Sequence, residues 1–443
     1  MAKRKKTKFN QIMWWVSFIF VAVFFAWAHK FTYPLFSDDS WFSVMLDDTS
    51  LFKYLLWRYN NWTSRLLIEA LEVSLTRVDF LVWQALDVIM ILLLIWGICE
   101  LTNAKYALAP LWFAGLLCLV PVGILYQAGW VSTSVNYIWT LTAAVMALLP
   151  LKGKGNRIVS LFFLIFACNQ EQMAVVLLAI FIIYFISERK LLLPEILVIV
   201  LSIIWIVTCP GNKARTAMSY QNDFPGYEYM SVLDKLKIGI LDAASFFPAG
   251  GAKQIILIVF MASVTVVILY KVFGRESLGQ FYGLLSVLLT GILVFIGFPV
   301  RHMVEEGKIL NDPYLYNLFG NRYIADHEYC IYEEKNVNLE IIIYLILFAL
   351  ILFLLFKACS SVKEGIIISL LFAIALGSKV MLGFTPSVYV SGYRPAFPGS
   401  VIILSITFYL LNKLPNKIKH ACFACILLVS VFMFRYIVPG ETF

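Results

Sequence analysis

The chain has 443 residues, 61% of them hydrophobic and only 14% charged, with a formal net charge of +8 and a mean hydropathy of +0.84. Soluble domains carry about 45–50% apolar residues, so this composition excludes a soluble enzyme, and with it the nucleic-acid partner that a basic soluble chain would suggest. Backbone amides must be bonded internally inside a bilayer, and the apolar runs are about 15–20 residues long without alternation, which selects helices over a barrel.

In chain order, "MAKRKKTK" and the apolar run from Ile12 to Ala28 read as a signal anchor that is retained. Thirteen spans are expected, at 12–29, 80–99, 106–126, 137–150, 158–168, 172–186, 191–208, 254–270, 280–299, 339–356, 366–384, 399–412 and 421–437. The fifth and sixth are short and flank "NQEQ" (169–172), so a hairpin is the alternative to two full crossings. With the N-terminus inside, the 54 residues of the inner segments hold 18 Lys and Arg, whereas the 158 residues of the outer loops hold 15. Basic residues concentrate on the cytoplasmic side. The expected arrangement is therefore a plasma-membrane protein with a cytoplasmic N-terminus. It forms a single integral membrane domain, 1–443, with outer loops 30–79, 209–253 and 300–338 making the active-site face. Six of the eight cysteines lie in or against apolar runs, where thiols act as small hydrophobes. Cys209 and Cys330 are the two on predicted outer segments, and a bridge between them is one expectation. Cys422 and Cys425 read as helix packing.

The first outer loop opens with "FSDDSWFSVMLDD" (36–48). Asp38 and Asp39 are either an N-cap, since acids suit helix starts, or a catalytic base or metal ligand just above the membrane. Asp47 and Asp48 are expected to cap the helix that follows. From Leu51 to Ser74 the residues Leu55, Tyr59, Trp62, Leu66 and Ala70 recur at helical spacing, with Arg58, Asn61, Arg65 and Glu72 on another face. That pattern predicts one amphipathic helix lying in the membrane interface. Arg65 on its polar face either grips a phosphate bidentately or pairs with Glu69 one turn on. In "GWVSTSVNYIW" (129–139), the small hydroxyls and Asn136 suit a sugar pocket, and Trp130, Tyr137 and Trp139 suit an aromatic belt.

Glu171 in "NQEQ" is an intramembrane carboxylate, costly to place and so a functional candidate. Asp87 and Glu195 read as structural, while Lys379, in the outer half of its span, is placed to meet an anionic ligand. "PGNKARTAMSY" (210–220) contributes Lys213 and Arg215, and "VSGYRPAFPGS" (390–400) holds Arg394 beside a proline that stiffens the backbone. Arginines from distant outer loops suit an anion, with lipid headgroups as the competing partner. No phosphate-cradling glycine loop, HExxH or zinc spacing occurs.

In their order along the chain, "DDSWF", "YNNWTSR", "STSVNYIW", "NQEQ", "PGNKAR" and "GYRPAF" resemble the GT-C superfamily of membrane glycosyltransferases. More narrowly they are similar to bacterial GtrII-like cell-surface glucosyltransferases, with Ser64 standing where that family often has Gly. The resemblance implies an all-α polytopic bundle of about 11–13 transmembrane helices with amphipathic helices in the first outer loop. It also implies transfer of a sugar, with inversion, from a polyprenyl-phosphate-linked donor to a polysaccharide, teichoic acid or glycolipid acceptor of the cell envelope. Asp39 or Asp38 would be the base that takes the acceptor proton. Arg65, Arg215 and Arg394 would stabilise the departing phosphate, with Asn136, Glu171 and Lys379 as further substrate-binding residues. Mg2+ or Mn2+ on Asp38 and Asp39 is the one cofactor left open, although hard cations need more oxygen ligands than one pair supplies. A transporter or lipid-linked oligosaccharide flippase is the rival of another class. A polymerase or ligase using diphosphate-linked donors is the rival of the same class.

Overall fold

The computed structural model describes residues 2–224, 226–246, 254–274, 278–295, 334–388 and 390–434. Most of the expected outer loop 300–338, with Cys330, lies outside these residues, so the proposed Cys209–Cys330 bridge does too. Among the described residues every regular element is helical, and nine helices are long and apolar enough to cross a membrane. A tenth arises if two helices bent by 52°, Leu193–Thr208 and Pro210–Asn222, count as one span. Span surfaces carry exposed large apolar side chains such as Ile19, Phe20, Leu81, Ile89 and Leu201. A soluble surface does not tolerate such continuous patches, and the chain is an all-α, multi-pass membrane protein.

The chain divides into two compact units, residues 1–215 with 427–443, and residues 216–426. The first begins with α1 (Ala2–Ala28), α2 (Asp38–Val44), α3 (Leu51–Asn61), α4 (Leu66–Leu75) and α5 (Phe80–Leu101). The expected span 106–126 is instead two short helices, α6 (Ala109–Leu117) and α7 (Val122–Leu125). Pro121 accounts for the interruption: it donates no backbone hydrogen bond and pushes the preceding Val120 away from helical geometry. The next span starts earlier than expected. It runs as α8 (Trp130–Thr133), a π-helical turn over Ser134–Trp139 and α9 (Thr140–Leu148). After it come α10 (Arg157–Ala167), α11 (Glu171–Glu188), α12 (Leu193–Thr208) and the start of α13 (Pro210–Asn222), whose residues from Thr216 on belong to the second unit. Of the two segments flanking "NQEQ", α11 is long enough to span and α10 is not.

Buried polar groups register these helices. Asp87 on α5 accepts from Trp139 Nε1 at 2.7 Å and meets His29 Nε2 at 3.0 Å. Asp87 thus ties α5 to the segment after α1 and to the π-helical turn, and Glu195 is held by Nε and Nη2 of Arg157 at 2.7 and 2.8 Å.

The second unit holds α14 (Val232–Phe246), α15 (Ile255–Phe273), α16 (Gln280–Phe295), α17 (Glu334–Ala358), α18 (Val362–Val380), α19 (Phe397–Asn412) and most of α20 (Asn416–Phe434). Its core includes a Phe260–Phe372 stack at 5.0 Å and the Phe408–Phe423 pair at 5.7 Å. A smaller cluster of Phe224, Tyr227, Ile238 and Val388 is fastened by the Tyr227 hydroxyl donating to Gly383 O at 2.6 Å.

Candidate functional site

The first outer segment is not the single amphipathic helix that its apolar spacing predicts. It breaks between α3 and α4, where Trp62 leaves helical geometry at φ −142° and ψ −50°, and Arg65 becomes the residue that opens α4. Tertiary contacts hold the break. Asn169 Oδ1 accepts from the backbone N–H of Leu67 at 3.1 Å and Ile68 at 3.3 Å, satisfying amides at the start of α4. Trp205 Nε1 donates to Ser64 O at 3.1 Å, and its ring stacks on Tyr59 at 4.6 Å. Asn212 Nδ2 donates to Ser64 Oγ at 3.0 Å while Ser64 N donates back to Asn212 Oδ1 at 3.3 Å. The bend between α12 and α13 sits directly on this break: a Cβ on Gly211 would fall 2.4 Å from Trp62 N and 2.7 Å from Tyr59 O. Two helix interruptions, about 150 residues apart in sequence, are thus docked together, with Cys209 Sγ donating to Tyr59 O at 3.2 Å.

Docking brings Arg65 and Arg215 to the same carboxylate. Arg65 Nε donates to Glu171 Oε2 at 2.6 Å with Nη2 on the same oxygen at 2.5 Å, and Arg215 Nη2 reaches Oε1 at 3.3 Å. Glu171 is the first residue of α11, where the helix dipole favours an anion, and Gln170 caps that helix by accepting from Met173 N at 2.6 Å. The three charged side chains keep 22, 22 and 31% of their surface exposed. Burial works against the charge on Arg65, but Glu171, with Tyr137 and Glu72 adding to it, holds the guanidinium pKa above its ordinary value.

The third nitrogen of Arg65, Nη1, donates to Asn136 Oδ1 at 3.1 Å. Asn136 lies in the π-helical turn, a backbone form often found where a helix re-aims a side chain at a functional site. Its Nδ2 donates to Glu72 Oε1 and to Ser132 O, the latter at 3.2 Å. Ser132 in turn donates to Asp39 Oδ1 through Oγ at 2.6 Å and through its backbone N–H at 2.8 Å, while Val131 N donates to Oδ2 at 3.0 Å. Asp39 is 1% exposed. It does cap a helix, but not its own: it caps α8. Burial pushes its carboxyl above the usual range, with the bonds from Ser132 and Val131 offsetting part of that effect. Gly129, at φ +118°, makes the approach feasible, since a Cβ there would stand 2.5 Å from Asp39 Oδ1. Asp38, by contrast, is exposed, and its backbone N–H donates to Ala128 O at 3.0 Å.

Five of the eight residues singled out from sequence therefore form one bonded series, Asp39, Asn136, Arg65, Glu171 and Arg215, with Ser132 as the link. Lys379 and Arg394 belong to the other unit. Lys379 is not displayed to an anionic ligand but is fully buried, 2.8 Å from Asp242 and 3.2 Å from Gly392 O. Arg394 is half-exposed in a short turn, Arg394–Ala396.

Other expectations are corrected. Asp47 and Asp48 do not cap α3; Ser50 does, accepting from Lys53 N at 3.4 Å, and Asp47 pairs with Arg77 at 2.6 Å. Glu69 does not pair with Arg65, because Arg58 occupies it at 2.6 and 2.8 Å from a buried position beside Trp41 and Trp62. Trp130, Tyr137 and Trp139 are buried, not an interfacial belt. Among the described residues no three His, Cys, Asp or Glu side chains are grouped to hold a metal ion. N–H and O–H donors point at Asp39, an arrangement that suits a carboxylate and not a shared Mg2+ or Mn2+. Sequence reasoning placed Ser132 only among the small hydroxyls of a sugar pocket, assigned no role to Asn169 or Asn212, and placed Glu72 only on a helix face. Each acts on a segment far away in the chain, for which local sequence carries no signal.

Comparison of the chain with protein-family models, with curated proteins and with solved structures gave no match.

Proposed function

We propose that the protein is a membrane glycosyltransferase that moves a sugar from a polyprenyl-phosphate-linked donor to a hydroxyl of a cell-envelope glycan. The observation that carries the reading is the Arg65–Glu171–Arg215 cluster, in which two partly exposed guanidiniums share one carboxylate and leave one positive charge in surplus. That surplus matches the single negative charge of a phosphodiester. As the acceptor oxygen bonds to the anomeric carbon, the bond from that carbon to the phosphate oxygen breaks, and the electron pair leaves with the phosphate. Arg65 and Arg215 are suited to hold the charge that then develops, in a setting where water screens it little.

The base in this reading is Asp38, which takes the acceptor's proton. Asp39 already accepts three hydrogen bonds, which suits it to anchoring the segment that presents Asp38. Glu171 opens α11, which is long enough to cross the membrane, so the end of a span, the level at which a lipid-borne phosphate would lie, suits this carboxylate and its two arginines. The distribution of basic residues favours the extracytoplasmic face of the plasma membrane.

The test is mass spectrometry of cell-envelope polymers from cells with and without the gene, complemented by wild type or D38N. Loss of a sugar substituent without the gene, and a fall of at least about 100-fold in its transfer by D38N, are expected. Full transfer by D38N would reject Asp38 as the base. A transporter or flippase is the second reading, favoured by the buried His29–Asp87 pair between spans, since intramembrane ionisable groups often serve transport. Movement of a lipid-linked sugar across vesicles by the purified protein, with no covalent transfer, would select it.

A further inference from the structure

Glu72 has no part in the chemistry above, yet it stands one bond away from it. It lies on α4, is 1% exposed, and its Oε1 accepts from Asn136 Nδ2. A carboxamide has one donor end and one acceptor end, and only its neighbours decide which way it points. Asn136 has three such neighbours and they agree. Glu72 and Ser132 O take its N–H groups, and Arg65 Nη1 donates to its oxygen at 3.1 Å. Turned over, the amide would aim hydrogens at a guanidinium and its oxygen at a carboxyl, two repulsive contacts in place of two bonds.

We propose that Glu72 is a positioning residue, which orients the Asn136 amide so that its oxygen holds the Arg65 guanidinium in place to receive a phosphate group. The inference rests on the reading of Arg65 as a phosphate ligand. Arg65 has its Nε and Nη2 on Glu171 and its Nη1 on Asn136, so both ends of the guanidinium plane are fixed. Without Glu72, only Ser132 O holds the N–H end of Asn136, and the anchor that Asn136 gives Arg65 is loosened. Burial, with Glu69 close by, pushes the Glu72 carboxyl well above its usual range. Charged or neutral, the carboxyl offers an oxygen to Asn136 Nδ2.

The experiment measures binding of a polyprenyl monophosphate, and of the same polyprenol without phosphate, to the full-length protein in detergent. The variants are E72A, E72Q, N136A and the double variant E72A/N136A. Wild type is expected to prefer the phosphate lipid. E72A and N136A should each weaken that binding by about tenfold, as loss of a bond to a charged group does, with polyprenol binding unchanged. E72Q keeps a carbonyl acceptor and should stay within about twofold of wild type. The double variant should be no worse than either single one, because the two residues act through one contact. Wild-type affinity in E72A, equal losses in E72A and E72Q, or additive losses in the double variant would each overturn the inference. If E72A does not fold, N136A decides alone, and unchanged affinity there overturns it. A wild type that does not distinguish the phosphate lipid from the polyprenol would instead reject Arg65 as a phosphate ligand, which is a failure of the functional reading itself.

Discussion

Asp39 shows how a single side chain can be placed by one requirement and titrated by another. Its carboxylate caps a helix that begins about 90 residues later, and three donors converge on it. Burial nevertheless outweighs those donors and raises its pKa, as a larger burial effect does for Glu72. For a carboxyl raised in the folded state, the native protein binds more protons than the unfolded chain between the ordinary and the raised values. Stability therefore falls as pH rises through that interval. The slope is expected in the thermal unfolding midpoint of the purified protein above pH 4, and D39N should reduce it while leaving the part due to Glu72. D39N should also lower the midpoint at every pH. An amide presents only one acceptor oxygen, so at least one buried N–H loses its partner, at about 1–3 kcal/mol. An unchanged slope in D39N would show that Asp39 does not titrate in the folded protein.

At the level of elements, the site depends on two helix interruptions that fit one another. The loop between α3 and α4 carries Arg65, the bend between α12 and α13 leads to Arg215, and Gly211 sits where the two backbones touch. A methyl group there must displace backbone on both sides. G211A is expected to destabilise by about 1–3 kcal/mol, the usual range for overpacking, and to lose the proposed sugar transfer by more than its stability loss explains, because Arg65 and Arg215 are moved apart. Transfer measured on the folded fraction checks this; wild-type transfer in G211A would mean that the docking does not set the arginine spacing. The same contact explains what sequence could and could not reveal. Long apolar runs ended by basic residues made the spans legible, and charges out of place in an apolar chain marked Arg65, Glu171 and Arg215. The break at Trp62 was hidden because Leu55, Tyr59, Leu66 and Ala70 keep helical spacing on either side of it, so periodicity runs through an interruption that Trp205, Asn212 and Gly211 impose from outside. Lys379 carried the same signal of an intramembrane charge, and its meaning depended on Asp242, which no local pattern connects to it.

Across the first unit as a whole, hydrogen bonds fix which segments share a side without reference to any membrane. The stretch after α1 is tied to the start of α8, through Asp38 N to Ala128 O and Asp39 to Ser132. The far end of α5 is tied to the far end of the α8–α9 span, through Lys154 Nζ to Glu100 O at 2.7 Å. The chain from Leu101 to Ala128 must therefore return from one side to the other, although α6 and α7 are each too short to cross alone. Continuing, Asn169 meets Leu67 and Asn212 meets Ser64, so residues 38, 65, 136, 171 and 215 share one side. Lys105, Lys152, Lys154, Arg157, Arg189 and Lys190 cluster at the turns on the other. With basic turns facing the cytoplasm, a cysteine placed at the exposed Asp48 should react with a membrane-impermeant thiol reagent in intact cells. One placed at the exposed Lys190 should react only after permeabilisation. The reverse pattern would invert the orientation and put the arginine cluster on the cytoplasmic side, where the donor would have to be presented from within the cell. Labelling of both positions in intact cells would contradict the sidedness that the hydrogen bonds impose, because α11, at 18 residues, is long enough to separate them by a full bilayer.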